Sequence, residues 1–282
     1  EPTTSETTSA PAPSANSSPA PQCNNATVSY APKDVSAYAG AIKTRGYLLV
    51  GVSADTKLLG AVNPQNPSEF EGFDIDMARL VAKAIFGTSD SRTIRFKVIT
   101  TADRIAQLAA DKPVDPKDNA AGGVDLVARA FTMNCDRWNR LAFSQVYFLA
   151  HQGLLVRTGS PIDSVAKLAG RTVCAPKGST SLVNIAKVAP QAKAQGVAAH
   201  TDCLVLLQEG AVDAVTGDDA ILAGFKVQDP GTRVLPDVEL SNEPYGLGVP
   251  LAHKDFAAYI NNVLEQARKD GSWQASYNTW LR

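Results

Sequence analysis

Residues 47–52 read Tyr47-Leu48-Leu49-Val50-Gly51-Val52, a short and almost wholly apolar run. A run of that length and character reads as a strand buried on both faces. Outward from it the period changes. Over residues 74–86 the apolar side chains Ile75, Ala78, Val81, Ala82 and Ile85 recur at helical spacing. Ile94-Arg95-Phe96-Lys97-Val98-Ile99 then alternates like a strand. Residues 102–110 read as helix, and Val124-Asp125-Leu126-Val127 as strand again. The order β-α-β-α-β predicts an α/β fold, a mostly parallel sheet covered by helices.

The same rhythm restarts downstream. Leu154-Leu155-Val156, a helix over 164–168, Thr172-Val173 and a helix from Ser181 come first. A helix over 203–209, the strand Asp213-Ala214-Val215 and a helix from Asp219 follow. A last strand is expected at 245–249, then a long helix over 256–269 and a short one ending at Trp280-Leu281. Two similar halves result, which predicts a two-lobed protein with a mixed sheet in each lobe. The expected division puts residues 23–148 and 245–282 in one lobe and 149–244 in the other. The chain would cross twice, near 148–151 and 242–245, and these crossings would form a hinge. Ligands of open α/β sheets sit beyond the carboxyl ends of the strands, so the cleft between lobes is the expected site.

Bulk properties narrow the function. A chain of 282 residues has room for about two domains. The net charge of -1 leaves no electrostatic footprint for nucleic acid. No apolar run is long enough to span a bilayer. The chain starts at Glu1 without Met, as expected of a form whose targeting segment has been removed. Residues 1–22 contain only Glu, Pro, Thr, Ser, Ala, Asn and Gln, a composition that buries nothing and reads as a disordered tether between an anchor and the fold.

The four cysteines, Cys23, Cys135, Cys174 and Cys203, include no CxxC pair, and His151, His200 and His253 are scattered. Two structural disulfides in an oxidising compartment fit this better than a metal site. Cys174 and Cys203 fall in the same half of the chain and are the preferred pair, which leaves Cys23 with Cys135. The other connectivities stay open at this point.

Catalytic motifs are missing: the sequence has no GxSxG, HExxH or GxxxxGK[ST]. No cofactor is expected and the chain does not read as an enzyme. Groups suited to binding are present. Gly178-Ser179-Thr180-Ser181 follows a strand and opens a helix, where free amides and hydroxyls suit a carboxylate. Arg137 lies just past the strand at 124–127, where a planar guanidinium can grip a carboxylate through two parallel bonds. Asp218 and Asp219 follow the strand at 213–215, and an acid there can take an ammonium group, although Asp219 reads better as a helix cap.

Several longer stretches match a known pattern in order and spacing. They are Glu71-Gly72-Phe73-Asp74-Ile75-Asp76, Gly123-Val124-Asp125-Leu126 leading to Thr132 and Asp136-Arg137, and Phe143-Ser144 with Tyr147. Leu168-Ala169-Gly170-Arg171-Thr172-Val173, Gly178-Ser179-Thr180 and Gly210-Ala211-Val212-Asp213-Ala214 with Asp218 continue the series. It ends with Tyr245-Gly246-Leu247-Gly248-Val249 and Asp270-Gly271-Ser272-Trp273 before Trp280-Leu281. Across residues 42–282 the chain resembles the polar amino-acid binding proteins of ATP-driven importers, which have the periplasmic-binding-protein fold.

That resemblance implies a monomeric, extracytoplasmic protein, lipid-anchored through a removed N-terminal segment, that captures a free amino acid for a membrane permease. A sensor that reports ligand state to a membrane protein would need the same pocket, and some dehydratases share the fold. By the resemblance Arg137 and Thr132 hold the α-carboxylate, with Thr180 helping from the second lobe. Asp218 and the carbonyl of Ala130 hold the α-ammonium. Thr101 and Arg104 match a pair that meets side-chain carboxylates, and His200 matches a histidine with the same task. Ser53 stands where relatives can carry an arginine, and Lys57 is the nearby cation that could reach in its place. Arg137, Arg104 and Asp218 mirror the charges of a dicarboxylic amino acid, so glutamate or aspartate is the expected ligand, with glutamine and asparagine behind.

Overall fold

The computed structural model describes residues 25–115 and 121–282. The tether and Cys23 therefore lie outside the described residues, and so does the expected Cys23–Cys135 bridge.

Helix α1 (Ala37–Arg45) starts where the Ser36 hydroxyl accepts the Ala39 amide. After it come the buried strand β1 (Leu48–Val52) and β2 (Asp55–Thr56), β3 (Gly60–Asn63) and β4 (Asn66–Glu71), which pair as a small antiparallel sheet. Gly72 then turns the chain at φ 128° so tightly that a Cβ would sit 2.3 Å from the Leu59 oxygen, and α2 (Phe73–Phe86) begins. Next are β5 (Ile94–Val98), β6 (Leu126–Ala128), the short α3 (Cys135–Trp138) and β7 (Leu141–Phe143). The second half holds β8 (Phe148–Arg157), β9 (Thr172–Pro176), α4 (Thr180–Val188), β10 (Lys193–Val197) and α5 (His200–Glu209). It continues through β11 (Ala214–Asp218), α6 (Asp219–Gln228), β12 (Thr232–Val234) and β13 (Ser241–Tyr245). Strand β14 (Gly248–Pro250) and helices α7 (Lys254–Lys269) and α8 (Ser272–Trp280) close the chain.

Two larger sheets result. One has the order β5-β1-β6-β14-β7 and the other β10-β9-β11-β8-β12, with β13 also on β8. Pairs β1–β5, β1–β6, β9–β10 and β9–β11 are parallel, while β8, β13 and β14 pair antiparallel. The two-lobed, mixed α/β architecture read from the sequence is the one observed. Phe73, Ile75, Val81 and Leu264 pack from α2 and α7 on the first sheet, and Phe131, Trp138 and Phe143 fill its other side. Leu154, Val173 and Ile185 form a core in the second half. Cys174 on β9 and Cys203 on α5 are joined by a disulfide, the preferred pair.

Three expected elements differ. Residues 102–110 close only one 3-10 turn, Ala106–Leu108, because Thr100 and Asp103 bond each other reciprocally and hold a turn instead. Residues 164–168 likewise give a 3-10 turn, Val165–Leu168. The strand expected at 245–249 is split: β13 pairs with β8, whereas β14 joins the first sheet between β6 and β7. Gly246 and Leu247 bridge the gap, donating to the Phe131 carbonyl and the Ser144 hydroxyl. The two segments that cross between sheets are paired with each other, Tyr245 opposite Phe148 and Asn242 opposite His151.

Candidate ligand-binding cleft

The carboxyl ends of the parallel strands converge. Beyond β5 lie Thr101 and Arg104, and beyond β6 come Thr132 and Arg137. Opposite them, Gly178 and Thr180 link β9 to α4, His200 opens α5 after β10, and Asp218 ends β11. Between the two sets is a cavity of about 730 Å³, lined among others by Thr101, Arg104, Phe131, Thr132, Arg137, Gly178, Thr180 and Glu243.

Arg137 is 5% exposed. The side chain of Asn134 caps α3 by accepting the Arg137 amide, which fixes the backbone from which the guanidinium projects. That guanidinium donates to the Thr132 carbonyl at 2.6 Å and the Gly178 carbonyl at 3.1 Å. Burial lowers its pKa to about 10, still cationic at neutral pH. Arg104 is 3% exposed and donates to the carbonyls of Thr101, Arg129, Ala130 and Gly178. Every one of these partners is a neutral backbone oxygen. Burial and then repulsion from Arg137 and Arg129 push its pKa well below the usual arginine range. Both guanidiniums lie on Phe131, 4.5 and 5.0 Å from its ring centre, which adds a cation–π contact to each.

Thr132 and Thr180 face each other across the cleft, and both hydroxyls donate to the same Glu243 carboxylate oxygen at 2.6 Å. Ala130 has φ 41°, unusual for a residue with a Cβ, and its amide donates to Asp74 while its carbonyl takes the Arg104 bond. Asp74 is buried, receives the Tyr147 hydroxyl at 2.6 Å, and has its pKa raised to about 6 by burial. Asp218 receives the Tyr245 hydroxyl at 2.6 Å and the Ser181 hydroxyl at 3.5 Å. Burial, helped by the nearby Glu243 charge, raises its pKa to about 7.

Thr101 accepts from the Arg129 guanidinium at 2.6 Å, and Arg129 also lies 4.0 Å from Asp55. His200 is buried with no partner for Nδ1 and is held neutral, its pKa pushed down to about 3 chiefly by burial. Ser53 bonds Asp55 and Thr56.

Of the expected site residues, Thr101, Arg104, Thr132, Arg137 and Thr180 line the cavity. Ala130, His200 and Asp218 are buried and lie off that lining. Lys57 is not brought to the cavity; its carbonyl packs against Gly224 on α6, where a Cβ would come within 2.5 Å of it. Glu243, Arg129 and Asp55 were not singled out in the sequence. The one available signal for Glu243 was its place next to Pro244-Tyr245-Gly246, at the expected second crossing. Arg129 and Asp55 had no motif to mark them.

Residues 48–282 match the bacterial extracellular solute-binding proteins, family 3, and the chain belongs to that family. It is 40% identical to the glutamine-binding protein of Geobacillus stearothermophilus over 79% of each chain. It is 36% identical to the ABC transporter glutamine-binding protein GlnH of Bacillus subtilis (strain 168), over 86% of this chain and 84% of the relative. Among solved structures, an ancestral arginine-binding protein bound to glutamine superposes with a TM-score of 0.73 at 29% identity, covering 84% of this chain and 98% of the other. The protein is thus an amino-acid-binding protein of the kind that serves ABC transporters, and its relatives are solute-binding proteins rather than enzymes. Among the described residues no helix is long and apolar enough to cross a membrane.

Proposed function

We propose that this protein captures free glutamate or aspartate, binding glutamine and asparagine more weakly, and delivers it to the membrane permease of an ABC importer. The single observation that carries the ligand choice is the state of Arg104. It is a buried cation whose four bonds all go to neutral carbonyls, and a buried charge favours an ion of opposite sign. Glu243 is the carboxylate that acts most on Arg137, whereas at Arg104 burial and the charges of Arg137 and Arg129 each outweigh Asp218, so Arg104 favours an added anion. The names of the relatives support a polar side chain of this size, and Arg104 favours the carboxylate over the amide.

In this reading the α-carboxylate is held by Arg137 with Thr132 and Thr180, and the ammonium by Asp218 and the Ala130 carbonyl. Arg104, Thr101 and neutral His200 face the side chain. The lobes divide at residues 148 and 245, and the paired β8 and β13 segments act as the hinge. Residues 1–22 serve as a spacer that lets the lobes work close to the membrane.

A thermal-shift screen across the twenty common amino acids tests the proposal, because a ligand that binds only the folded state raises the melting temperature. Glutamate and aspartate should give the largest rises. If no amino acid raises it, or only cationic or apolar ones do, the proposed function is wrong.

A further inference from the structure

Glu243 is 1% exposed and sits on β13, in the second of the two segments that cross between the sheets. One carboxylate oxygen accepts the Ser241 hydroxyl at 2.6 Å and the Asn184 amide at 3.4 Å. The other accepts the hydroxyls of Thr132 and Thr180, both at 2.6 Å. Those threonines come from opposite sides of the cleft, one following β6 and one opening α4. The Glu243 charge also acts on Arg137, whose guanidinium bonds the backbone of the same two loops at Thr132 and Gly178. An arginine and two hydroxyls arranged around a carboxylate make up an α-carboxylate subsite, and here that carboxylate comes from the protein itself.

We propose that Glu243 is an internal competitor for the amino acid's α-carboxylate. It takes both threonine hydroxyls as donors and must release them when ligand enters. The proposal rests on the assignment of Thr132, Thr180 and Arg137 to the α-carboxylate. Its consequence is a specificity effect: Glu243 weakens every ligand that needs those hydroxyls and leaves untouched a ligand without an α-carboxylate. Displacing one charge-assisted acceptor from two donors is worth roughly tenfold in affinity. The displaced side chain keeps Ser241 and Asn184 as partners, so it can withdraw without becoming an unpaired buried charge.

Calorimetric titration of the wild type, Glu243→Gln and Glu243→Ala with glutamate and with 4-aminobutanoate tests this at a pH well above 7, where Asp218 is ionised with or without Glu243. The second compound is glutamate without its α-carboxylate. Both variants should bind glutamate more tightly, by about tenfold for Glu243→Ala and less for Glu243→Gln, whose amide oxygen still accepts from the threonines. For 4-aminobutanoate the change should stay under about twofold. Far-ultraviolet circular dichroism establishes that each variant is folded, and either variant alone is sufficient. Glutamate affinity that is unchanged or weaker, with the wild type binding, overturns the competitor while leaving the proposed function intact. An equal gain for both compounds is a bulk charge effect and also overturns it. Binding of glutamate by a variant but not by the wild type supports the competitor in its strongest form. If neither wild type nor variant binds any amino acid, the proposed function fails and the competitor with it.

Discussion

Arg104 and Arg137 donate to the same acceptor, the carbonyl oxygen of Gly178, at 3.2 and 3.1 Å. Two cations that follow strands of the first sheet thereby hold the loop that opens α4 beside the second. The loop can come this close only because of its glycine: Gly178 has φ 78°, and a Cβ there would lie 2.7 Å from the Ala102 Cα. Backbone lies against backbone at that point.

Gly178→Ala is therefore expected to hinder closure while leaving each lobe folded. Affinity for glutamate should fall about tenfold or more, and small-angle scattering at saturating ligand should give a larger radius than the closed wild type. Wild-type affinity in Gly178→Ala would show that the two backbones do not need to meet.

Arg137→Lys keeps the positive charge but loses the planar fork that reaches the Thr132 and Gly178 carbonyls together. Binding of every amino acid should weaken by at least about tenfold, acids and amides alike, since all share the α-carboxylate. A loss confined to glutamate and aspartate in calorimetry would move Arg137 to the side-chain end of the pocket.

With the ammonium assigned to Asp218, binding is expected to depend on pH. Its pKa is raised to about 7, so it is largely protonated at pH 5 and cannot pair with an ammonium group. Ligand stabilises the ionised form and binding releases a proton. Affinity should rise as pH increases from 5 towards 7 and level off above. Titrations at pH 5, 6, 7 and 8 should show this for the wild type and not for Asp218→Asn, which should also bind far more weakly. The stability of the empty protein moves the other way. Between the unfolded value of 3.8 and the folded value of about 7 the native state holds a proton that the unfolded chain has lost, so this group's contribution falls as pH rises through that window. A flat wild-type affinity profile from pH 5 to 8 would contradict the role of Asp218.

The Cys174–Cys203 bridge spans a separation of 29 residues and ties β9 to α5. Replacing both with alanine should lower stability by roughly 2–4 kcal/mol in denaturant unfolding through the lost loop constraint. Glutamate affinity should change little, because neither sulfur lines the cavity. An unchanged unfolding midpoint would mean that packing of Leu204 and Leu207, rather than the bridge, holds α5 in place.

Much of this was legible in the residue pattern. The apolar run at 47–52 and the helical spacing at 74–86 became β1 and α2, because burial on both faces or along one stripe leaves a periodic trace. Arg137 was singled out by its place past a strand end and Thr132 by the family resemblance, and both line the cavity. Residues 102–110 misled because Thr100 and Asp103 offered the backbone a turn that hydrophobic spacing does not record. The segment 245–249 read as one strand because its apolar residues run on continuously, although its halves pair in different sheets. Glu243 escaped notice for another reason. Its partners Thr132 and Thr180 lie 111 and 63 residues away, so only the folded chain brings an acid to hydroxyls that had been assigned to a ligand.

Arg104 is where the proposed ligand is most exposed to test. Calorimetric titration of the wild type and Arg104→Gln with glutamate, aspartate, glutamine and asparagine measures directly what that buried cation selects. The wild type should favour each acid over its own amide by roughly 10- to 150-fold, the worth of a charged hydrogen bond. In Arg104→Gln that ratio should collapse towards one while both classes still bind through Arg137 and Asp218. A wild type that prefers the amide, or an acid-to-amide ratio that Arg104→Gln leaves unchanged, would contradict the assignment of glutamate or aspartate as the ligand.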